Sequence, residues 1–231
     1  MSAAEQTDNL SRTVTHEWHV THGAKMVSFA GWHMPVQYPT GITLETLAVR
    51  KDAGLTEISH MRRFKHSGKG ARPFLQHVTT NNVNALNEVG KAQYTALQAE
   101  DGSAIDDTYL YRIGEREFIH VVNAVNGTKD WAHLSQFFPQ FPDLDSRDIS
   151  DELAMFALQG PKSEMVLEEI LRERGNSGRL PPNEKNRISL VKIKGYDVYI
   201  SRTGYTGEPV GFEMFVPSDI AIPFWEQILK V

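Results

Sequence analysis

The stretch AQYTALQAEDGSAIDDTYLYRIGEREFIHVVNA, residues 92–124, decides how this chain folds. Two turn clusters, EDGS (100–103) and IGEREF (113–118), separate runs rich in Tyr, Thr, Ile and Val. β-branched and aromatic side chains suit a pleated, half-buried surface, and Asp-Gly marks a tight reversal. Three consecutive strands are therefore expected. Alternation sends neighbouring side chains of a strand to opposite faces. The adjacent acids Asp106 and Asp107 must then part, one toward a core or cleft and one toward water. Two readings of them stand. Acids at a turn are ordinarily solvated. An acid buried among the tyrosines of its strand would instead have its pKa raised by desolvation, which suits proton handling or the orienting of an amine.

Working outward, GARPFLQHVTTNNV (70–83) reads as a helix with Phe74, Leu75 and Val78 on one face. GTKDWAHLSQFF (127–138) reads as another, and FPQFPDLDSRDIS (138–150) as a proline-broken, acidic connection. LAMFALQGP (153–161) is a strand ending in a turn, and SEMVLEEILRERG (163–175) is an amphipathic helix. NSGRLPPNEKNR (176–187) is a loop, and ISLVKIKGYDVYISRTGYTG (188–207) is a hairpin turning at KGYD. SDIAIPFWEQILKV (218–231) opens a helix with Ser218 as its cap. At the other end, residues 12–38 read as a short helix, a turn and an extended segment with aromatic anchors. A helix over roughly 43–53 follows, capped by Thr43, stopped by Gly54, with Leu44, Leu47 and Ala48 as its apolar residues. The fold class is α+β, with mostly antiparallel strands and helices beside them.

TGYTGEPVGFEMF (203–215) places one carboxylate, Glu213, inside an apolar strand. An ionised carboxylate accepts two parallel hydrogen bonds. Its partner is either the flat amidine-like edge of a ligand such as an aminopterin ring, or an internal lysine or arginine, since buried charges are normally paired. Gly204, Gly207 and Gly211 allow backbone to approach a flat ligand, and serve equally as ordinary hairpin turns.

Composition narrows the chemistry. The 231 residues carry a formal charge of -5 with no Lys/Arg block, so nucleic acid is not an expected partner. Cysteine is absent, which removes disulfides, thiolate nucleophiles and Cys-based metal sites from these residues. His16, His19 and His22 are spaced by threes, but no HExxH or matching carboxylate set accompanies them, and no metal is expected. No GxSxG, P-loop or dinucleotide fingerprint occurs. The polar start and the lack of a spanning apolar run lead to the expectation of a cytoplasmic protein with no membrane partner.

HGAKMVSFAGWHMPVQY, AVRKDAGLTEISHM, GKAQYTALQAEDGSAIDDTYLY, VVNA, LQGP and RTGYTGEPVGFEMFVP occur in that order. The set closely resembles the T-protein family of the glycine cleavage system, tetrahydrofolate-dependent aminomethyltransferases, over about Thr21 to Val231. Each piece is weak alone; the ordered set is specific.

The resemblance implies that Asp106 is the catalytic aspartate beside the reacting folate nitrogens and that Glu213 grips the pterin. It puts Tyr94, Asn123, Tyr205 and Met61 at positions of the folate cavity. It implies a lipoylated H protein as carrier of the aminomethyl group and tetrahydrofolate as one-carbon acceptor, with ammonia released and no protein nucleophile required. It implies a discontinuous first domain, about 1–61 plus 149–231, of mixed antiparallel sheet and helices, with a second α+β domain, about 62–148, inserted between its parts. The folate cavity is then expected between the domains.

Family members continue into a GLGARDTLRLE-like segment and a C-terminal β-barrel, neither of which is in these 231 residues. Weak or undetectable folate binding by this chain alone is the corresponding expectation. The same fold also serves tetrahydrofolate-dependent demethylases of sulfur, oxygen or nitrogen donors, and non-catalytic folate-binding relatives. The cysteine-containing signature of the last group is missing.

Overall fold

The computed structural model describes residues 9–204 and 206–231. It is the expected α+β chain, built on two five-stranded sheets and a separate hairpin. In order, the elements are α1 (His16–Thr21), β1 (Lys25–Phe29), β2 (Trp32–Gln37), α2 (Ile42–Lys51), β3 (Gly54–Glu57), β4 (Arg62–Ser67) and α3 (Ala71–Val78). Then come β5 (Ala92–Gln98), β6 (Ala104–Gly114), β7 (Glu117–Val122), α4 (Gly127–Ser135), β8 (Asp145–Asp148), β9 (Leu153–Gln159) and α5 (Ser163–Arg172). The last are β10 (Ile188–Ile193), β11 (Tyr196–Ser201), β12 (Gly211–Pro217) and α6 (Ala221–Lys230).

The chain divides into two compact units. One comprises the chain up to His60, Glu152–Leu180 and the residues from Val191 on. The other comprises Met61–Asp151 and Pro181–Leu190.

In the first unit the sheet order is β10-β11-β12-β9-β3. Phe156, Leu158, Phe212, Met214 and Val216 alternate into one core with Val166, Leu167 and Ile170 of α5 and Phe224, Trp225 and Ile228 of α6. Each fully buried large apolar side chain contributes about 1.5–3 kcal/mol of transfer free energy. The β10–β11 turn falls at Lys194 and Gly195, both in the left-handed region (φ 50° and 89°), as a tight hairpin with right-handed strand twist requires. A buried polar cluster ties α1 to β3: Glu57 accepts from Thr13 at 2.8 Å and faces His19 Nε2 at 2.8 Å, while His19 Nδ1 meets the Tyr38 hydroxyl at 2.6 Å. The triplet of histidines in α1 is thus divided among separate tasks. His16 meets His33 at 2.9 Å, His19 meets Glu57, and His22 stacks on Trp18.

In the second unit the order is β5-β6-β7-β4-β8. The 92–124 stretch forms the three-stranded meander β5-β6-β7. Phe74, Leu75 and Val78 of α3 and Leu134 of α4 cover it on one face, with Phe64, Leu97, Leu110, Phe118 and Val122 beneath them.

Three local expectations need correction. Residues 138–150 hold a strand, β8, where a bare connection was expected; Asp-Ser-Arg-Asp has little strand propensity, and as an edge it pairs with β4 alone. Helix α2 starts at Ile42 after Gly41 rather than on a Thr43 cap, and it buries none of its residues; Leu44 and Leu47 stand outward while half-buried Val49 packs on Gly54. Ser218 opens a short 3-10 turn, and no side chain caps α6.

Candidate functional site

In the second unit the carboxylates at the head of β6 separate as alternation demands. Asp107 is exposed, and Asp106 retains only 6% of its surface. The loop between β7 and α4 closes over Asp106. Its Oδ2 accepts the Asn123 backbone N–H at 3.0 Å, and its Oδ1 accepts side-chain N–H groups of Asn123 at 2.9 Å and Asn126 at 2.6 Å. Burial is the largest single influence and pushes its pKa up. The hydrogen bonds from Asn123, Asp130 and Asn126 together outweigh burial and leave the carboxyl below the usual range, so it is an anion at neutral pH. Of the two sequence readings the buried one holds for Asp106, but two parts of it need correction: the tyrosines stand on the opposite face with Asp107, and the pKa is moved down rather than up.

Asn123 also spans to the other face, donating to the Asp107 backbone oxygen at 2.9 Å and to Asp107 Oδ1 at 3.0 Å. Tyr94 lies half-exposed on that outer face, donating to Asp107 Oδ2 at 3.3 Å, next to Tyr109 and then Tyr111 in a row of aromatic rings. Met61 is half-buried at the entrance to β4, its carbonyl oxygen accepting from the Arg63 guanidinium.

Beneath Asp106, residues that the sequence did not single out complete a buried polar set. Asp130, in the first turn of α4, is fully buried. His120 Nε2 meets Thr108 Oγ1 at 2.9 Å, and the His66 and His120 ring centroids are 5.6 Å apart. Burial holds His120 down at about 4, against a smaller upward pull from Asp106, and holds His66 well below its ordinary value. Both imidazoles are neutral at pH 7.

In the first unit Glu213 sits on β12 between Ser201 of β11 and Ala157 of β9, 4% exposed. Its neighbours Phe212 and Met214 alternate into the core, so its carboxylate points to the sheet's other face. Thr203 donates its hydroxyl to Glu213 Oε2 and also meets the Ser201 hydroxyl. Gln159 occupies the same face two residues beyond Ala157, opposite Gly211. Its side chain is 3% exposed, and among the described residues neither Oε1 nor Nε2 has a hydrogen-bond partner. A Cβ on Gly204 would collide with Nε2, and one on Gly211 would lie 3.3 Å from Cγ. Two of the three glycines thus make room for the Gln159 amide, while Gly207 turns the chain at φ 82° with no atom of the described residues within 4 Å of its missing Cβ. Tyr205, between them in sequence, lies outside the described residues.

Sequence reasoning passed over Gln159 and Asp130. The signals were a Gln closing an otherwise apolar strand, and an acid four residues before Leu134 on the apolar side of a helix.

Among the described residues, no helix is long and apolar enough to cross a membrane. The model of the GCVT N-terminal domain matches residues 15–231. An aminomethyltransferase of Deinococcus deserti is 42% identical over 222 residues, covering 96% of this chain and 60% of the relative. One from Thermus thermophilus is 42% identical over 221 residues, covering 96% and 61%. The crystal structure of glycine cleavage system aminomethyltransferase T from Bartonella henselae superposes with a TM-score of 0.83 at 34% identity, covering 95% of this chain and 57% of that one. The chain therefore spans about 60% of the length of the curated relatives it matches.

Proposed function

The chain belongs to the aminomethyltransferase family of the glycine cleavage T protein, and from that premise we propose that it serves tetrahydrofolate-dependent transfer of a methylene group from an aminomethyl-lipoyl carrier, the H protein, with release of ammonia. When bound, tetrahydrofolate supplies the amine nitrogens that accept the one-carbon unit. Among the chain's own residues, the observation that carries this reading is Asp106: a buried anion held by three N–H donors of Asn123 and Asn126 in the loop before α4. Such a fixed negative charge orients amines and stabilises positive charge that develops beside it, without reorganising during the reaction.

The pterin has a matching set of partners in the first unit. Glu213 offers carboxylate oxygens, and Gln159 offers one acceptor and two donors that nothing among the described residues uses. An aminopyrimidinone edge needs such a mixed set. A buried amide left wholly unsatisfied in a native protein calls for a ligand or water. Tyr94, Asn123, Met61 and Tyr205 are proposed as further folate-binding residues. No nucleophilic side chain is required, so the residues act by position and charge. We place the protein in the cytoplasm.

The test is ammonia release from an aminomethylated lipoyl carrier in the presence of tetrahydrofolate, run beside methyl transfer from small sulfur, oxygen and nitrogen donors. Ammonia release that drops about 10²-fold or more in Asp106→Asn supports the reading, since a positioned charged group is worth that much. Methyl transfer without ammonia release would replace it with the demethylase reading. Calorimetry of tetrahydrofolate with Glu213→Gln separates loss of pterin binding from loss of turnover.

A further inference from the structure

Asp106 does not stand alone in its recess. Asp130 lies one helical turn beyond Asn126, whose side chain donates to Asp106 and whose carbonyl oxygen accepts the Asp130 backbone N–H at 2.8 Å. The Asp130 and Asp106 carboxyls are close enough to share a hydrogen bond, Asp130 is fully buried, and among the described residues no donor reaches either of its oxygens. Ionised carboxylates only accept. Two of them facing each other in a buried site are untenable, because a buried charge without donors costs far more than the N-terminal end of α4 returns. Among the described residues Asp106 has its donors and Asp130 has none.

We infer that Asp130 is the proton-bearing partner of Asp106, a positioning residue whose neutral carboxyl donates a hydrogen bond to the Asp106 carboxylate and keeps it anionic and aimed. The pair then carries one proton and one negative charge. The proton sits on an Asp130 oxygen; should it cross to Asp106, Asp130 is left as the carboxylate and the total charge is unchanged. Burial first, then the hydrogen bond and charge of Asp106, raise Asp130 to about 8, with Lys129 pulling the other way. The other ionisable groups around the pair are consistent with this assignment. Lys129 of α4 turns its ammonium to the Ile105 carbonyl at 2.7 Å, Asp107 faces outward from β6, and His120 of β7 is neutral. The two acids titrate as a unit, so the midpoint belongs to the pair.

This inference rests on the reading of Asp106 as the catalytic group, yet its test needs neither folate nor turnover. The side-chain amides of Asn123 and Asn126 both donate to Asp106 and report the charge of the pair. In the intact chain their NMR resonances are expected to titrate with the alkaline midpoint of the pair, near 8. Infrared difference spectra, wild type minus Asp130→Asn, are expected to show the carbonyl stretch of a protonated carboxylic acid at pH 6. In Asp130→Asn, which keeps an N–H donor for Asp106 but no titrating proton, the alkaline titration should vanish. A carboxylate band in the pH 6 difference spectrum, or Asn123 and Asn126 resonances flat from pH 6 to 9 in the wild type, would overturn the assignment. Should the variant fail to fold, ¹³C-aspartate labelling of the wild type decides the same question. Loss of ammonia release with these titrations intact would count against the function and leave the proton assignment standing.

Discussion

Glycine 204 and glycine 160 both lack room for a methyl group, and the neighbours they would meet predict opposite phenotypes. At Gly204 the obstacle is the end of the flexible Gln159 side chain, with no positive φ to strain. At Gly160 a Cβ meets the Val49 and Asp52 carbonyl oxygens, and the backbone stands at φ 121°, where an L side chain is strained. Gly160→Ala should therefore cost roughly 2–4 kcal/mol, as left-handed strain and overpacking add. Gly204→Ala should cost about 1 kcal/mol or less, because a side chain can step aside. Urea midpoints compare the two directly, and equal losses would contradict the argument. In ligand binding the order should invert: Gly204→Ala displaces the amide proposed to meet the pterin, so calorimetry should show the larger affinity loss there.

The pairing of β4 with β7 brings His66 and His120, both on the helix-covered face, into the core of the second unit. Each is held neutral by burial, with His120 at about 4. An unfolded histidine titrates near 6.5. Between these values the unfolded chain binds more protons than the folded one, so stability is full above about 6.5 and falls as the pH drops toward 4. His120 alone accounts for a loss of at most about 3 kcal/mol across that window. Asp130 has the opposite sign: its folded-state pKa is raised, so its contribution is greatest in acid and declines as the pH rises toward about 8. Denaturant titrations between pH 4 and 7 should differ between wild type and His120→Gln by this acid-side loss, because the opposing Asp130 trend is common to both. An unchanged slope in that variant would mean that the imidazole is not buried neutral. The element scale is also where sequence reading failed: β8 gains its strand conformation from β4, not from its own Asp-Ser-Arg-Asp.

Across the whole molecule, the chain visits the second unit twice. Most of that unit is one continuous stretch, but residues 181–190 return to it. The return is held by Ala92 N–H to the Asn186 carbonyl at 2.8 Å, Ile188 N–H to the Gly90 carbonyl at 2.9 Å, and an ion pair of Arg187 with Glu88 at 2.6 Å. Asn186 itself stands at φ 64°, a conformation that asparagine tolerates better than most residues. Replacing 181–187 by a Gly-Ser linker of equal length should raise amide exchange at Ala92 and Ile188 and lower the stability of β5 and β6. Exchange in β9 and β12 should change little, since neither strand pairs with this segment. Equal acceleration in both sheets would show the two units to unfold together.

Local chemistry determined much of this protein before any folding was considered. The meander over 92–124, the apolar faces of α3 and α5, the KGYD turn and the separation of Asp106 from Asp107 follow from periodicity and turn residues, which act within a few positions of the chain. The positions of Asp106 and Glu213 were legible as acids in unusual strands. Tertiary structure decided what surrounds them. Asp130 faces Asp106 only because α4 folds back over β6, and Gln159 meets Gly204 and Gly211 only because β9 lies beside β12. The pKa of Asp106 turned the same way: desolvation, foreseeable from a buried strand, pushes it up, while donors 17 to 24 residues away in sequence pull it down. Burial class is a property of sequence pattern; the set of donors that stabilises a buried charge is a property of the packed chain.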